Sequence, residues 1–169
     1  MTDVRLEPLS LAHLDGVMSW INDPEVTFYF ANLSGEITRE QEEAYLRVLL
    51  TSQTDKIFSI FENDEYVGQI GISKIYWPAR NGRIGLMLKR EAWGRGLSQV
   101  AIRLLIDKAF GDLNLHKLWV IIRADNEKGL YLWKKMGFTP EGILRDEYFV
   151  KGKFHNMVRL GLLTTDTQS

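Results

Sequence analysis

Two glycines stand two residues apart in the run WGRGLS, where the strand-like segment LMLKREA gives way to a helix-like one. Main-chain N–H groups at the start of a helix have no partner inside it. Together with the helix dipole they attract anions, and glycine lets a phosphate come close to the backbone. Arg90 and Arg95 add positive charge beside Gly94 and Gly96. The pattern reads either as an anion cradle or as a tight turn that glycine permits. Two nucleotide motifs are excluded, since no G-x-x-x-x-G-K-[ST] run is present and the third glycine of a dinucleotide fingerprint is missing.

A second stretch, DNEKGLYLWKKMGF, reads as a helix with Asn126 as its N-cap and a glycine at its end. It carries two aromatics, Tyr131 and Trp133. At about 100° per residue, a step of seven returns to within about 20° of Asn126, whereas a step of five lands about 140° away. Trp133 therefore shares the face of Asn126, and Tyr131 is expected at the core or its rim. His13, His116 and His155 are scattered without metal-ligand spacing, and the absence of cysteine removes disulfides, thiolate metal sites and a Cys nucleophile.

These groups need elements to hold them. Residues 4–9 alternate as a first strand, and Leu11, Leu14, Val17, Met18 and Ile21 recur at helical spacing up to Pro24. Thr38 with Gln41 or Glu42 opens a second helix, with Ala44, Tyr45, Val48 and Leu49 predicted on one side. KIFSIFE and YVGQIGISKIYW form a hairpin around ENDE, and RIGLMLK follows as a further strand. After WGRGLS comes a helix with Leu97, Val100, Ala101, Leu104 and Leu105 on its buried face, then HKLWVIIR as a central strand, the Asn126 helix, and two strands around VKGK. Strand, helix, strand order requires a crossover and so a parallel pair. The predicted fold class is mixed α/β, a mostly antiparallel sheet of six to seven strands flanked by about four helices. It occupies one domain over residues 1–169, with 164–169 as a frayed tail.

A net charge of −1 argues against a nucleic-acid partner, and 45% apolar with 25% charged residues is the composition of a soluble globular chain. The longest apolar run, residues 118–122, is far shorter than the ~20 residues of a membrane span. With no signal-like N-terminus, the expected location is cytoplasmic, without a membrane partner.

EAWGRGLSQVAIRLL, VIIRADNEKGLYLWKKMGF and EGILRDEYFVKGKFHNMVRLGLL occur in this order. From WINDPEV to RLGLL the chain resembles the GCN5-related N-acetyltransferases (GNAT), in the branch that includes ribosomal-protein and nucleotide-amino-sugar acetyltransferases. The resemblance implies acetyl-CoA as donor, no metal, and direct attack by a primary amine. It implies that amides of the turn from Glu91 through Trp93, Gly94, Arg95 and Gly96, with Leu97 and Ser98, hold the pyrophosphate. Glu91 replaces the usual Gln or Arg and is expected to point away. Leu86, Met87 and Leu88 are implied to splay from the neighbouring strand at a bulge and to bond the pantetheine arm, an N–H near Met87 stabilising the oxyanion. Asn126 matches the family's residue at the start of the next helix. Gly129 and Trp133 stand on the cofactor side where relatives often keep Ser and Tyr, so both hydroxyls are lost.

An alkylamine of pKa ~10.4 must lose a proton to attack, costing about 4.6 kcal/mol at pH 7, whereas leaving a thiolate of pKa ~8.5 unprotonated costs about 2. Base assistance matters more than acid assistance. Relatives place a catalytic Glu on the strand RDEYFV, which makes Glu147 and Tyr148 alternative candidates. Strand alternation sets them on opposite faces, so one of the two serves. The acceptor is implied to enter between NDPEVTFYFANL and FVKGKFHN. Phe28, Tyr29, Phe30, Tyr76 and Trp77 suit stacking on a sugar or base, or ordinary core; Asp23, Glu25 and Glu36 suit a polyamine or a peptide N-terminus. A nucleotide-linked amino sugar, a protein N-terminus and another small amine thus stay open as acceptors. The lost hydroxyls raise the alternative of a non-catalytic acyl-CoA sensor. An exposed edge strand in the C-terminal hairpin suits a homodimer.

Overall fold

The computed structural model describes residues 3–29 and 35–167. Seven strands, β1 (Val4–Pro8), β2 (Lys56–Glu62), β3 (Glu65–Tyr76), β4 (Asn81–Leu88), β5 (Lys117–Arg123), β6 (Thr139–Val150) and β7 (Lys153–Leu163), form one sheet in the order β1-β2-β3-β4-β5-β7-β6. Every neighbouring pair is antiparallel except β4 with β5, as the crossover through a helix requires. The helices are α1 (Leu14–Met18), α2 (Arg39–Thr51), α3 (Leu97–Phe110) and α4 (Glu127–Lys135).

One sheet face buries Ile60, Ile70, Ile72, Ile84, Leu118, Val120, Leu160 and Leu162 against α3 and α4, which makes the main core. The other face carries α1 and α2 in two smaller clusters, Leu9, Leu14, Leu46 and Leu49, and Val17, Trp20 and Ile21. Strand alternation divides β4 between them. Ile84, Leu86 and Leu88 enter the main core, while Met87 packs on the α1 side.

The α2 start follows its sequence signal, Thr38 and Gln41 closing a reciprocal capping box worth about 1 kcal/mol. Its buried face does not. Glu42, Leu46 and Leu49 are buried, while Tyr45 and Val48 lie in solvent, because apolar residues occur all round this helix and packing chose the stripe with the carboxylate. On α3, Ile102, Ile106 and Ala109 join the buried face, and Val100 is exposed. Residues 164–167 are not frayed. They form a 3-10 turn in which Asp166 accepts from the Leu163 N–H at 2.8 Å and Thr164 pairs with His116 at 2.8 Å.

On α4 the two aromatics separate as the helical angle requires. Trp133 is 4% exposed, in the main core edge-to-face with Phe138 at 5.0 Å, whereas Tyr131 is 69% exposed. This corrects two expectations. Trp133 is a core residue with almost no surface to offer a cofactor, and Tyr131 is in neither core nor rim. Trp133→Ala should cost about 3–5 kcal/mol in urea unfolding, and Trp133→Phe markedly less, since a ring still meets Phe138.

Candidate active site

Pairing between β4 and β5 covers three residues each, Asn81, Gly82 and Arg83 against Lys117, Leu118 and Trp119. Beyond them β4 runs to Leu88 and β5 to Arg123 with no ladder between, although β4 stays paired with β3 and β5 with β7 over those lengths. The two strands thus diverge into a V whose inner edges carry main-chain groups without strand partners. No register shift interrupts the three pairs, so the opening arises by divergence and not at the bulge expected from sequence. Gly85, just past the apex, is exposed, and a Cβ placed there would meet nothing within 4 Å.

The turn after β4 carries Gly94 at φ 78° and Gly96 at φ 74°, both in the left-handed region that favours glycine. Gly96 caps α3 without a side chain, so the first-turn amides of α3, including those of Leu97 and Ser98, have no capping acceptor. A Cβ on either glycine would stand in open space. The arginines flanking this cradle are both engaged elsewhere. Arg95 bonds Glu62, a carboxylate 6% exposed, and Arg90 donates to both oxygens of Asp23 at 3.0 and 2.6 Å. What the turn offers an anion is therefore its main-chain amides more than guanidinium charge. The Trp93 indole N–H donates to the Leu88 carbonyl at 3.0 Å, tying the turn to the wall of the V, and Glu91 is exposed.

Asn126 caps α4, its Oδ1 accepting from the Gly129 N–H at 2.9 Å. A Cβ on Gly129 would come within 2.6 Å of the Asn126 amide, so the close cap accounts for the missing side chain there. Just before it, Arg123 makes a two-bond pair with Asp125 at 2.7 and 2.8 Å and stacks on Tyr29 and Phe28 at 4.8 and 5.4 Å. Lys151, in the β6–β7 turn, lies 5.7 Å from the Phe28 ring. The two segments expected to admit the acceptor are thereby brought together at the C-terminal end of β5.

The aromatic platform is not one surface. Phe28 and Tyr29 sit at that end, but Tyr76 pairs with Asn81 at the opposite end of β4, and the Trp77 indole is held by the Gln53 carbonyl. Phe30 lies outside the described residues. Asp23 and Glu25 are likewise drawn away from an acceptor, since both pair with Arg90, whose guanidinium holds the Asp23 carboxyl below its usual range. Of the three acidic residues read from sequence for the acceptor, Glu36 does line a cavity, and it is joined there by Glu42 and Asp55, which the sequence had not singled out for this role. A cavity of about 650 Å³ opens between α1, α2 and the sheet, lined by Glu36, Glu42, Asp55, Gln69, Gly85 and Met87 among others, with no Lys or Arg among its described lining residues. Glu42 is 6% exposed, and burial alone pushes its carboxyl above the usual range. Gln69 Oε1 is buried without a hydrogen-bond partner. The legible signal was the i, i+4, i+7 spacing of Glu42, Leu46 and Leu49, which sets a carboxylate in an apolar stripe.

Tyr148 and Glu147 part company. The Tyr148 hydroxyl accepts from Arg83 Nη2 at 3.1 Å, beside the apex of the V, whereas Glu147 is exposed on a bulge lining a surface hollow with Ile143, Arg145 and Asn156. Among the described residues no group of three or more His, Asp or Glu is placed to hold a metal ion, and no helix is long and apolar enough to cross a membrane.

Because the folded state holds the Glu42 proton to higher pH than the unfolded chain, the unfolded chain ionises first as pH rises above about 4.5, and stability falls over that window. Glu42→Gln should therefore raise Tm at pH 7.5, and the gain should shrink towards pH 4 in a thermal melt series. An equal gain at both pH values would show that Glu42 ionisation does not limit stability.

Residues 3–139 match the Acetyltransferase (GNAT) domain family. Spermidine N(1)-acetyltransferase of Escherichia coli K12 is 29% identical over 157 residues, 93% of this chain and 84% of that protein. The uncharacterized N-acetyltransferase p20 of Bacillus licheniformis is 30% identical over 166 residues, 95% and 92% of the two chains. The crystal structure of spermidine N-acetyltransferase from Vibrio cholerae in complex with CoA and spermine superposes with a TM-score of 0.90 at 21% identity, covering 96% of each chain. With its diverging β4 and β5 and its glycine turn at the start of α3, this chain belongs to the GNAT acetyltransferase family.

Proposed function

We propose that this acetyltransferase moves the acetyl group of acetyl-CoA to a primary amine of an aliphatic polyamine. The observation that carries the acceptor class is the cavity beside Gly85 and Met87, which holds three carboxylates and no cationic side chain among its described lining residues. Such a lining repels the phosphates of a nucleotide-linked sugar and attracts a chain of ammonium groups. Glu42 is the strongest element, a buried acid whose carboxyl is shifted by burial with no cation to oppose it. An ammonium would supply that cation, and Gln69 Oε1 would accept an N–H that it otherwise lacks. The relatives named as spermidine acetyltransferases support the same class.

The donor side follows from the V and the cradle. The inner edges of β4 and β5 offer main-chain hydrogen bonds to the pantetheine arm, and the amides from Gly94 to Ser98 offer them to the pyrophosphate, where the left-handed glycines leave room for it. With the arm in the V, the thioester comes to the apex near Gly85, where the acidic cavity meets the strand. The chain contains no cysteine, so the amine attacks the thioester directly after losing a proton, a cost of about 4.6 kcal/mol at pH 7 for an alkylamine.

Free-thiol release should be measured with acetyl-CoA over spermidine, an amino sugar nucleotide and a peptide N-terminus. Spermidine should turn over fastest. Preference for the sugar nucleotide, or CoA binding without turnover on any amine, would overturn the reading. Glu42→Gln should raise KM for spermidine roughly ten- to hundredfold, the range for a lost hydrogen bond to a charged group, with little change in KM for acetyl-CoA. Gly94→Val, which forces a β-branched residue to positive φ and fills the cradle, should abolish CoA binding in calorimetry.

A further inference from the structure

Trp133 leaves α4 without a hydroxyl on its buried face, but a tyrosine hydroxyl reaches Arg83 at the apex of the V from β6. We infer that Tyr148, held by Arg83, is the hydrogen-bond donor to the sulfur of CoA as it leaves, and that Arg83 and Asn156 are its positioning residues. The inference rests on the acetyltransfer reading above, not on the identity of the amine.

Three observations place the hydroxyl. Arg83 is the last β4 residue paired with β5, so its side chain rises at the apex of the V. It shares a face with Gly85, two residues on, over which the space is open. The Tyr148 hydroxyl lies 3.1 Å from Arg83 Nη2, although β5 and β7 intervene between β4 and β6, about 14 Å at the usual strand spacing. A flat hairpin would not bring the two together.

The hairpin is not flat. The β6–β7 ladder shifts register between Leu144 and Tyr148, and Asp146 takes φ 48°. The Asp146 N–H donates to Asn156 Oδ1 at 2.8 Å, which pins the bulge from the partner strand. Bulges of this kind bend a strand and re-aim the side chain that follows. Here the side chain that follows is Tyr148, and beyond it Lys151 reaches Phe28 at the acceptor entrance.

The direction of the bond sets the chemistry. A guanidinium only donates, so the phenol oxygen accepts from Arg83 and its own hydrogen stays free for another acceptor. Accepting one hydrogen bond also makes the hydroxyl a stronger donor. When the tetrahedral intermediate collapses, the C–S bond breaks, its electron pair goes to sulfur and the carbonyl re-forms. The Tyr148 proton passes to sulfur, giving the CoA thiol, and the phenolate recovers a proton through water from the nitrogen that has become the amide. The balance is amine plus thioester to amide plus thiol.

The chain has no cysteine, so no protein thiol competes for iodoacetamide, and S-alkylated CoA formed on the enzyme reports on the CoA sulfur. With Tyr148 donating to the thiolate, the pH midpoint of alkylation should lie about one unit or more below that in Tyr148→Phe, as expected for a hydrogen bond to a charged acceptor. Arg83→Met should move the midpoint the same way, the double variant no further, and Arg83→Lys should restore part of the shift. Asn156→Ala should follow Tyr148→Phe, with Asn156→Asp, which keeps the acceptor oxygen, near wild type. In turnover, kcat should fall about 10- to 30-fold at pH 7, bounded by the 1.5-unit gap between thiol pKa and pH, with KM for acetyl-CoA unchanged. An unchanged midpoint with CoA bound would overturn this inference alone. Failure of the wild-type protein to bind CoA would overturn it together with the acetyltransfer reading.

Discussion

The divergence of β4 from β5 after three paired residues is the constraint on which the rest of the site depends. A parallel pair left unzipped inside a sheet loses main-chain hydrogen bonds, a loss tolerated only where solvent or a ligand supplies partners. Each strand keeps its outer neighbour, β3 for one and β7 for the other, so the sheet remains continuous on both sides of the gap. The gap leads at its open end to the glycine turn and the uncapped N-terminus of α3, and at its apex to Arg83, Gly85 and the acidic cavity. In the proposed reaction donor and acceptor would approach one point from opposite directions, as direct transfer without a covalent enzyme intermediate requires.

Charge is distributed so that the two sides stay distinct. The arginines beside the glycine turn are satisfied by carboxylates, Arg95 by buried Glu62 and Arg90 by Asp23 and Glu25. The second of these links ties the start of the donor turn to the loop after α1, so the two regions are mechanically coupled. Among the described residues the cavity carboxylates have no such cationic partners, and Glu42 is buried at a cost in stability that a cationic ligand would offset. A site that destabilises the free protein in order to bind its ligand is a common trade between stability and function.

Much of this architecture was legible in the chain. Turn residues and alternation placed the strands, the capping residues Thr38 and Asn126 placed two helix starts, and the crossover order implied the single parallel pair. The glycine turn was legible because positive φ demands a residue type that stands out. Helix faces were less so. On α2 the apolar residues encircle the helix, and periodicity alone could not say that Glu42 would turn inward while Tyr45 and Val48 turned out. On α4 the angle between Tyr131 and Trp133 was computable, but which of them met core, solvent or ligand depended on what lay opposite each face.

The sequence by itself determined where the chain turns, which segments are strands and helices, and that a glycine turn leads into α3, because these follow from local backbone preferences. Only the tertiary structure decided that Arg90 and Arg95 are occupied, that Trp133 belongs to the core, and that Arg83 meets Tyr148 across two strands. Those are contacts between residues 33 to 67 positions apart, or choices among packing partners, and their energies depend on groups that no local window contains.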